Sequence, residues 1–446
     1  MTRVVAGFVG CKVSQADGEA ALAELAAAGL EPVTAREAAD VVVVHTCCVT
    51  AEAERKSRRL ARRAAADGRR VIVAGCAAAL RPEQFEGAGV TVTARPDWAA
   101  VAVELGDLAV GADGARDAGS GTTSGATGGT AGGAVTDARV SAGRASFERG
   151  SDGAQRATPG ARTRSVLKVQ DGCAGACAYC VVRLVRGRPT SLALADALAA
   201  ARDGLARGCG EVVLSGIDLG AWRDGDAGLP DLLAAIAGLD GLRRVRLSSI
   251  EPRHVDARLI ELLGHPRVAR HVHVPLQSAD DGVLRAMRRP YTFAEYLRAV
   301  EPLQRLPGAA MLSTDVIVGY PTEDEAAFAR TLEALEGGLF GRVHVFAYSA
   351  RPGTAAAELP PLPAAVVKER MGRALAAAEA AALAARRAAV GGAAEVLVEE
   401  RRDGLWRGYS SEYIRYSLRG SARRGELVQA VADEVAGDGV TGRVKE

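Results

Sequence analysis

The chain lacks several features that would assign it to a class at once. No apolar run approaches the roughly 20 residues that a membrane-spanning helix needs, which argues against a membrane protein. The formal net charge is only +2 over 446 residues, so overall charge does not by itself indicate a nucleic-acid-binding protein. The N-terminal run carries one positive charge and continues into Cys11, which predicts a first strand and not a secretory signal. We expect a cytoplasmic protein of about two to four domains with no membrane partner.

A disulfide framework is not expected either, although the chain has eight cysteines. In a long chain without a secretion signal, clustered cysteines indicate metal binding or catalysis. Cys173, Cys177 and Cys180 have C-x3-C-x2-C spacing, and no fourth Cys or His lies nearby. A structural zinc ion, the alternative, prefers four closed ligands, whereas a [4Fe–4S] cluster on three thiolates keeps one iron open. The loop therefore predicts a catalytic cluster that binds and reductively cleaves S-adenosylmethionine.

A second set of cysteines follows the strands of a predicted parallel sheet. Over the first hundred residues, continuous β-branched runs alternate with helical stretches, which is typical of a parallel sheet covered on both faces. Cys11, Cys47 and Cys76 each come just after such a run. Because ligands bind at the carboxyl edge of such sheets, we expect these thiolates to meet there, although each taken singly is as readily a buried apolar residue. Cys48 and Cys209 match no ligand position and are interpreted as core thiols.

The rest of the chain divides by composition into three parts. Gly, Ala, Ser and Thr dominate residues 108–164, which predicts a disordered linker. In residues 165–390, six strand candidates alternate with helices and predict a partial (βα)6 barrel with its site at the carboxyl ends of the strands. Residues 391–446 turn β-rich, which fits a small antiparallel β-barrel. With a parallel α/β domain over residues 1–107, the expected fold class is α/β.

Several motifs occur in order along the chain. They are Gly10-Cys11-Lys12-Val13-Ser14-Gln15, His45-Thr46-Cys47-Cys48-Val49-Thr50, Gly75-Cys76-Ala77-Ala78, the run from Gln170 through Cys180 to Arg186-Gly187-Arg188, His273-Val274-Pro275-Leu276-Gln277-Ser278, Asp315-Val316-Ile317-Val318-Gly319-Tyr320-Pro321-Thr322-Glu323 and Tyr348-Ser349-Ala350-Arg351-Pro352-Gly353-Thr354. Together they resemble the radical S-adenosylmethionine (SAM) methylthiotransferase family, over nearly everything except residues 108–164. The resemblance implies a second [4Fe–4S] cluster on Cys11, Cys47 and Cys76 that carries the inserted sulfur. It also implies an electron donor such as flavodoxin or ferredoxin, a sulfur donor and a TRAM-like RNA-binding barrel at the C-terminus.

The same resemblance implies contacts to SAM at strand ends of the partial barrel. The candidate residues are Tyr179, Ser215, Gly216, Ser249, Glu251, Gln277, Ile317 and Gly319. Tyr179 would lie against the adenine, and Ser215 with Gly216 against the methionine amino group. Ser249 and Glu251 would reach the ribose or the methionine end. Ordinary turn or strand packing is the other interpretation of each residue, and the two glycines would equally serve in turns.

Residues near the N-terminal cysteines indicate the kind of substrate. The helix after Cys47 carries a run of cations, namely Arg55, Lys56, Arg58, Arg59, Arg62 and Arg63. A phosphate-rich substrate would meet them there, although a charge run is also typical of a solvated helix face. The segment from Ala53 to Arg58, together with Lys12, resembles the branch of the family that acts on N6-threonylcarbamoyladenosine of tRNA.

The C-terminal barrel mixes arginines with aromatic residues. The arginines are Arg401, Arg402, Arg407, Arg415, Arg419, Arg423 and Arg424, and the aromatic residues are Trp406, Tyr409, Tyr413 and Tyr416. This mixture suits phosphate contacts and base stacking, unless the aromatic residues form the barrel core.

The predicted reaction is insertion of sulfur and its methylation at C2 of N6-threonylcarbamoyladenosine at position 37 of tRNA, in the anticodon stem-loop. The alternatives are the same chemistry on N6-isopentenyladenosine of tRNA or on a ribosomal protein aspartate, and a non-catalytic Fe–S or zinc RNA-binding protein. Ser14 and His45 stand where the family usually has Asn, and Ala279 where it usually has Gly. These departures remove no cluster ligand, but they bear on how the substrate is placed.

Overall fold

The computed structural model describes residues 1–34, 38–105, 162–306 and 310–445. The predicted linker lies outside the described residues up to residue 161, and Arg164 already begins a strand. Within the described ranges, no helix is long and apolar enough to cross a membrane.

The N-terminal part is a five-stranded parallel sheet. In spatial order its strands are Glu31–Pro32, Arg3–Phe8, Val41–Thr46, Arg70–Gly75 and Val90–Val92. Helices Lys12–Ala27, Ala51–Ala66 and Cys76–Leu80 and the 3-10 turn Pro82–Gln84 connect them. Every residue of the central strand Val41–Thr46 is buried, which is why its sequence is a continuous apolar run. The first helix begins at Lys12, because Cys11 is extended and serves as its N-cap.

Six parallel strands form an open half-barrel in the middle of the chain. They are Arg164–Lys168, Glu211–Ser215, Arg244–Leu247, His271–His273, Met311–Val318 and Arg342–Ala347. The first three strands form one hydrogen-bonded sheet and the last three form another. Two isolated β-bridges, Val245 to Val268 and Ser249 to His273, connect the two sheets. One large apolar core fills the space between these strands and the helices outside them.

The helices and short elements of the half-barrel complete its outer layer. The helices are Val182–Arg186, Leu194–Ala206, Leu229–Ala237, Ala257–Leu263, Asp281–Ala286, Phe293–Gln304, Glu325–Glu336 and Ala364–Ala389. Two antiparallel ribbons pair Gln170–Asp171 with Thr190–Ser191 and Arg223–Asp224 with Ala227–Gly228, and 3-10 turns span Leu219–Ala221, Pro252–His254 and Ala355–Glu358.

The C-terminal part is a closed five-stranded barrel. Its strands are Ala393–Arg402, Leu405–Ser410, Arg415–Arg419, Leu427–Ala436 and Gly439–Val444. Four pairings are antiparallel, and the third strand pairs with the fifth in parallel. The barrel docks at the amino ends of the half-barrel strands, where Arg246 donates to the carbonyl oxygens of Ser410 and Ser411 at 3.0 Å. The opposite, carboxyl edge is therefore left for the site.

The predicted α/β fold class is confirmed, with its N-terminal parallel sheet, partial six-stranded barrel and small terminal β-barrel. The domain boundaries at residues 107, 164 and 390 stay predictions.

Candidate active site

The loop of Cys173, Cys177 and Cys180 follows the first half-barrel strand and is braced by Gln170, which is fully buried. Gln170 Nε2 donates to the Gly172 carbonyl oxygen at 2.8 Å, and Oε1 accepts from the Asp218 N–H at 2.7 Å. Gly172 has a φ of 70°, and a Cβ there would lie 2.2 Å from the carbonyl oxygen of Arg188. Only glycine fits, so the Gln-Asp-Gly segment fixes how the cysteine loop leaves the strand.

Two of the three thiols of this loop lie beside Gly175. Its N–H donates to Cys173 Sγ at 3.2 Å, and a Cβ on Gly175 would lie 3.1 Å from that sulfur and 3.9 Å from Cys177 Sγ. Burial raises the pKa of Cys173 and raises that of Cys180 to about 11. The thiols must therefore lose protons as a metal binds, as is general for thiolate ligands.

The number of thiols separates an iron–sulfur cluster from a structural zinc ion. A structural zinc ion takes four closed ligands, whereas three thiolates can hold a cluster of several irons with one iron open. Among the described residues, one group of three His, Cys, Asp or Glu side chains has its ligand atoms all within 4.8 Å of one another, and it is His273, Asp315 and His344.

Charged groups that the sequence did not single out border the loop. Arg289 Nη1 lies 3.3 Å from Cys177 Sγ, and its Nη2 forms an ion pair with Glu251. Cys173 Sγ lies 3.8 Å from Asp218 Oδ2. Arg289 is 112 residues from Cys177 in sequence, so no local motif reveals the contact.

The candidate SAM contacts Ser215, Gly216, Ser249 and Glu251 follow two neighbouring strands. Ser215 is 1% exposed, and its Oγ has no hydrogen-bond partner among the described residues. A buried hydroxyl without a partner at a strand end is a group that a polar ligand would satisfy, so the site fits SAM. Gly216 also has a packing role, because a Cβ there would lie 2.9 Å from Gln170 Oε1.

Tyr179 lies at the edge of an apolar cluster that includes Ala178, Met287 and Tyr320. Burial raises the pKa of the Tyr179 hydroxyl well above its ordinary value, so the ring presents a neutral surface. Such a wall beside the cysteine loop is suited to packing against an adenine ring.

Gln277, Ile317 and Gly319 meet at the next strand ends. Gln277 has a φ of 69°; its N–H donates to the Asp315 carbonyl oxygen at 2.8 Å, and its own carbonyl accepts from the Ile317 N–H at 2.9 Å. Gly319 has a φ of 77°, and a Cβ there would lie 2.8 Å from a methyl group of Val367. Backbone conformation and close packing thus account for Gly319 without a ligand.

The N-terminal cysteines are brought together by backbone geometry. Thr46 Oγ1 accepts from two N–H groups of the helix Cys76–Leu80, at 3.1 Å each, and so ties that helix to the strand that precedes Cys47. Gly10 has a φ of 118°, and a Cβ there would lie 2.8 Å from Cys47 Sγ. Glycine therefore lets the first strand end, with exposed Cys11, approach the two buried cysteines.

The N-terminal thiols differ in acidity. A hydrogen bond from Cys48 holds the pKa of Cys76 below its ordinary value; burial opposes this, and Arg186, with Nε 3.1 Å from Cys76 Sγ, reinforces it. Burial raises the pKa of Cys47 to about 12. Cys48 is fully buried, and buried Cys209 donates to a backbone carbonyl at 3.1 Å, as expected of core thiols.

Arg186 joins the two cysteine sites through an ion-pair network. Its Nη2 lies 2.9 Å from Asp17, and its Nη1 contacts both Asp171 oxygens at 3.0 and 3.1 Å, two residues before Cys173. Lys168 pairs with both carboxylates. Burial alone would raise the pKa of Asp17, but the charges of Lys168 and Arg186 hold it below its ordinary value. The network, two cations and two carboxylates, therefore stays charged and balanced between the two triads.

Two family departures lie beside the N-terminal cysteines. Ser14 is buried, with Oγ 3.7 Å from Cys11 Sγ. His45 packs against Trp98 with ring centroids 5.8 Å apart, and burial lowers its pKa to about 4. His45 and Cys76 line a cavity of about 80 Å³. Both substitutions thus touch the space around the N-terminal triad.

The interior of the half-barrel is polar. Ser313 Oγ lies 2.8 Å from His271 Nε2 and 2.9 Å from His273 Nδ1. Asp315 in turn lies 3.2 Å from His273 Nε2 and 3.3 Å from His344 Nδ1. We call these five residues the polar lumen. Burial lowers the pKa of His271 well below its ordinary value, so the chain of contacts begins at a neutral imidazole.

The basic helix Ala51–Ala66 turns its cations outward. Arg55, Arg58, Arg59, Arg62 and Arg63 line one surface groove. On the opposite side Glu54 is 3% exposed and forms an ion pair with Arg351 at 2.9 Å. The helix buries Glu54, while exposed Glu52 pairs with Arg55 and Lys56. The remaining arginines form a surface that a polyanion could contact.

The aromatic residues of the C-terminal barrel lie in two places, because Tyr416 is in the barrel core whereas Tyr413 contacts His271 of the half-barrel. Tyr416 is 1% exposed in the barrel core, and Tyr409 stacks on Tyr413 at 5.0 Å. Several arginines are paired: Arg407 with Asp403, Arg415 with Asp438 and Arg419 with Asp433. Tyr416 therefore belongs to the core and cannot stack on a base.

Comparisons with known proteins agree with this geometry. Residues 167–335 match the radical SAM superfamily, and residues 3–94 match a family described as Uncharacterized protein family UPF0004. A threonylcarbamoyladenosine tRNA methylthiotransferase of Thermotoga maritima is 31% identical over 97% of this chain and 94% of its own length. A tRNA-2-methylthio-N(6)-dimethylallyladenosine synthase of Syntrophotalea carbinolica is 30% identical over 87% of this chain and 86% of its own. The radical SAM methyltransferase TsrM of Kitasatospora setae, solved with tryptophan and a SAM analog, covers 80% of this chain and 75% of its own with a TM-score of 0.50; at 14% identity it is similar in fold alone.

Proposed function

Because the chain belongs to the radical SAM methylthiotransferase family, we propose that it inserts sulfur and a methyl group at C2 of N6-threonylcarbamoyladenosine at position 37 of tRNA. The observation that carries this proposal is the position of Arg186, which contacts Cys76 and, through Asp171, the loop of Cys173. One buried residue thus lies between two separate thiol triads, as a reaction that uses both sites requires.

In this proposal each cysteine triad has a separate role. Cys173, Cys177 and Cys180 would hold a [4Fe–4S] cluster, and Cys11, Cys47 and Cys76 a second one. With SAM bound, these groups would supply radical chemistry at C2 and the sulfur that is attached there. Arg289 would place positive charge beside Cys177, Ser215 would hydrogen-bond SAM, and Tyr179 would shield the adenine from water.

The substrate branch is supported by the threonylcarbamoyladenosine enzyme, whose similarity extends over nearly the full length of both chains. The dimethylallyladenosine synthase is nearly as similar, which makes N6-isopentenyladenosine of tRNA the second candidate. Both substrates are bases of tRNA, and the arginines of the basic helix would contact its phosphates. An electron donor such as flavodoxin or ferredoxin and a sulfur donor complete the proposal, since the reaction consumes electrons and sulfur.

The test is nucleoside mass spectrometry of tRNA treated with the anaerobically reconstituted enzyme. Anticodon stem-loops that carry N6-threonylcarbamoyladenosine, N6-isopentenyladenosine or plain adenosine are incubated with SAM and a reductant, and Cys173→Ser serves as the inactive control. The 2-methylthio product is expected from the threonylcarbamoyl substrate at a rate at least about tenfold above the others. Product from the isopentenyl stem-loop alone would select the second candidate, and no product from any stem-loop would reject both.

A further inference from the structure

Lys12 is a half-buried cation without a carboxylate partner. It begins the helix Lys12–Ala27 directly after Cys11, and its Nζ lies 5.6 Å from the centre of the Tyr413 ring. Over the described part of the chain it makes no hydrogen bond or ion pair through its side chain. A partly buried ammonium group held only by an aromatic face is incompletely compensated, which favours an anion beside it.

Lys12 shares Tyr413 with three arginines. Arg246, Arg342 and Arg164 lie 4.6, 5.8 and 5.9 Å from the centre of the same ring. We call these four cations and Tyr413 the cationic floor. Two of the arginines have carboxylate partners: Arg164 pairs with Glu399, and Arg246 shares Glu211 with Arg244.

Arg342 resembles Lys12 in this respect. It is exposed at the start of the last half-barrel strand, and no ion pair to it occurs among the described residues. The cationic floor therefore has a positive surplus at Lys12 and Arg342, which lie 5.6 and 5.8 Å from the centre of the Tyr413 ring. That is the arrangement of a site for a small anion, because neither cation forms a direct ion pair with a carboxylate among the described residues.

The cationic floor lies at the end of the polar lumen. The His271 ring is 5.0 Å from the Tyr413 ring, and the chain of contacts through Ser313 leads from His271 to His273. His273 forms a bridge with Ser249, one of the candidate SAM contacts. Ser249 is three residues beyond Arg246, an advance of about 10 Å along the backbone at about 3.3 Å per residue. A group that enters from the SAM side would thus reach the floor with a short substituent.

We propose that Lys12, together with Arg342, binds the carboxylate of the threonylcarbamoyl group and so selects that nucleoside over one with an uncharged substituent. This inference rests on the proposed function and names the part of the substrate that the cationic floor recognises. Four bonds separate N6 from the carboxylate carbon, a reach of about 5 Å in addition to the width of the purine. Isopentenyladenosine has no charge to offer at that position, and Lys12 would then remain uncompensated.

A matched pair of substrates tests this assignment. One anticodon stem-loop carries N6-threonylcarbamoyladenosine, and the other carries its methyl ester, which has the same shape without the charge. The wild-type enzyme is expected to prefer the acid by about 10- to 100-fold in kcat/KM, the range for removal of a charge-assisted hydrogen bond. Lys12→Met should reduce this preference to less than about threefold, whereas Lys12→Arg should keep most of it. Lys368→Met, an exposed lysine of the helix Ala364–Ala389, should keep the wild-type preference.

The possible outcomes separate the hypotheses. If wild-type enzyme treats acid and ester alike, or if Lys12→Met keeps the wild-type preference, the assignment is wrong. Equal weakening of both substrates by Lys12→Met would mean a contact to tRNA phosphate and would also overturn it. If Lys12→Met is inactive, the equilibrium affinity of the two stem-loops for the variant gives the same ratio. Wild-type enzyme that modifies no stem-loop at all would instead reject the proposed function.

Discussion

Replacing Arg351 by methionine would remove the partner of a buried carboxylate. The Arg351 Nη1–Glu54 Oε2 distance is 2.9 Å, and the two side chains are only 6% and 4% exposed. Arg351 follows the last half-barrel strand, while Glu54 lies on the basic helix of the N-terminal sheet. Ser349 Oγ adds an acceptor for the Ala51 N–H at 3.2 Å. The ion pair thus fastens the basic helix to the half-barrel.

The expected decrease in stability follows from leaving Glu54 charged and buried. Breaking a buried ion pair by removing one partner typically costs about 3–5 kcal/mol. Among the described residues Glu54 Oε1 has no hydrogen-bond partner, so no second donor replaces the arginine. Since the free energy of unfolding of a native protein is about 5–15 kcal/mol, this decrease is a large fraction of it.

Urea unfolding of Arg351→Met, Glu54→Leu and the double variant measures this effect. The double variant should recover to within about 1–2 kcal/mol of wild type, because an apolar pair of similar volume often replaces a buried ion pair without destabilising the fold. Arg305→Met, which breaks an exposed pair with Glu301, should leave the midpoint unchanged. An Arg351→Met midpoint equal to that of wild type, or a double variant that is simply additive, would refute the reasoning.

Three further predictions concern the cluster loop, the RNA surface and acid stability. Cys173→Ser should abolish SAM cleavage and lower the iron content from about eight to about four per chain; cleavage that survives would place the radical site elsewhere. Arg59→Ala with Arg62→Ala should weaken tRNA binding and reduce the slope of log K against log salt by about 0.7–0.9 for each phosphate that is no longer neutralised, and an unchanged slope would remove the helix from the interface. For Glu211, burial alone would raise the pKa, but Arg246 and Arg244 lower it from 4.5 to about 2. Its stabilising contribution, on the order of 3 kcal/mol, is therefore present above pH 4.5 and disappears as the pH falls towards 2, and a flat urea midpoint across that window would contradict this.

Much of the fold could be predicted because buried parallel strands have a simple pattern. Val41–Thr46 is buried on both faces, so its β-branched run is unmistakable in the sequence. The strand Gly439–Val444 does not stand out in the sequence, because its two glycines are typical of turns. In the structure a Cβ on Gly442 would lie 2.2 Å from the Val431 carbonyl oxygen, so this glycine permits close approach of two strands.

The candidate site could be predicted only in part. Cysteines that follow parallel strands must lie at one sheet edge, so the membership of both triads follows from local pattern, and it stays a prediction until metal content is measured. The charged partners do not follow, because Arg289, Asp218 and Lys12 reach their neighbours across long sequence separations. Charged residues of this kind also follow no helical or strand periodicity in the sequence. An arginine can be a solvated surface group in one fold and a buried partner in another.

The Arg186 network shows why such partners matter for a reaction that needs two sites. Arg186 and Lys168 are balanced by Asp17 and Asp171, so the network holds the N-terminal sheet on the half-barrel without a net charge. The Cys76 sulfur is an additional acceptor for Arg186. A thiolate there forms an ion pair with the guanidinium, whereas a protonated thiol is only a weak acceptor. The contact that positions the two triads is therefore strongest when Cys76 is in the ionised form that binds metal, which couples the docking of the two sites to their loading.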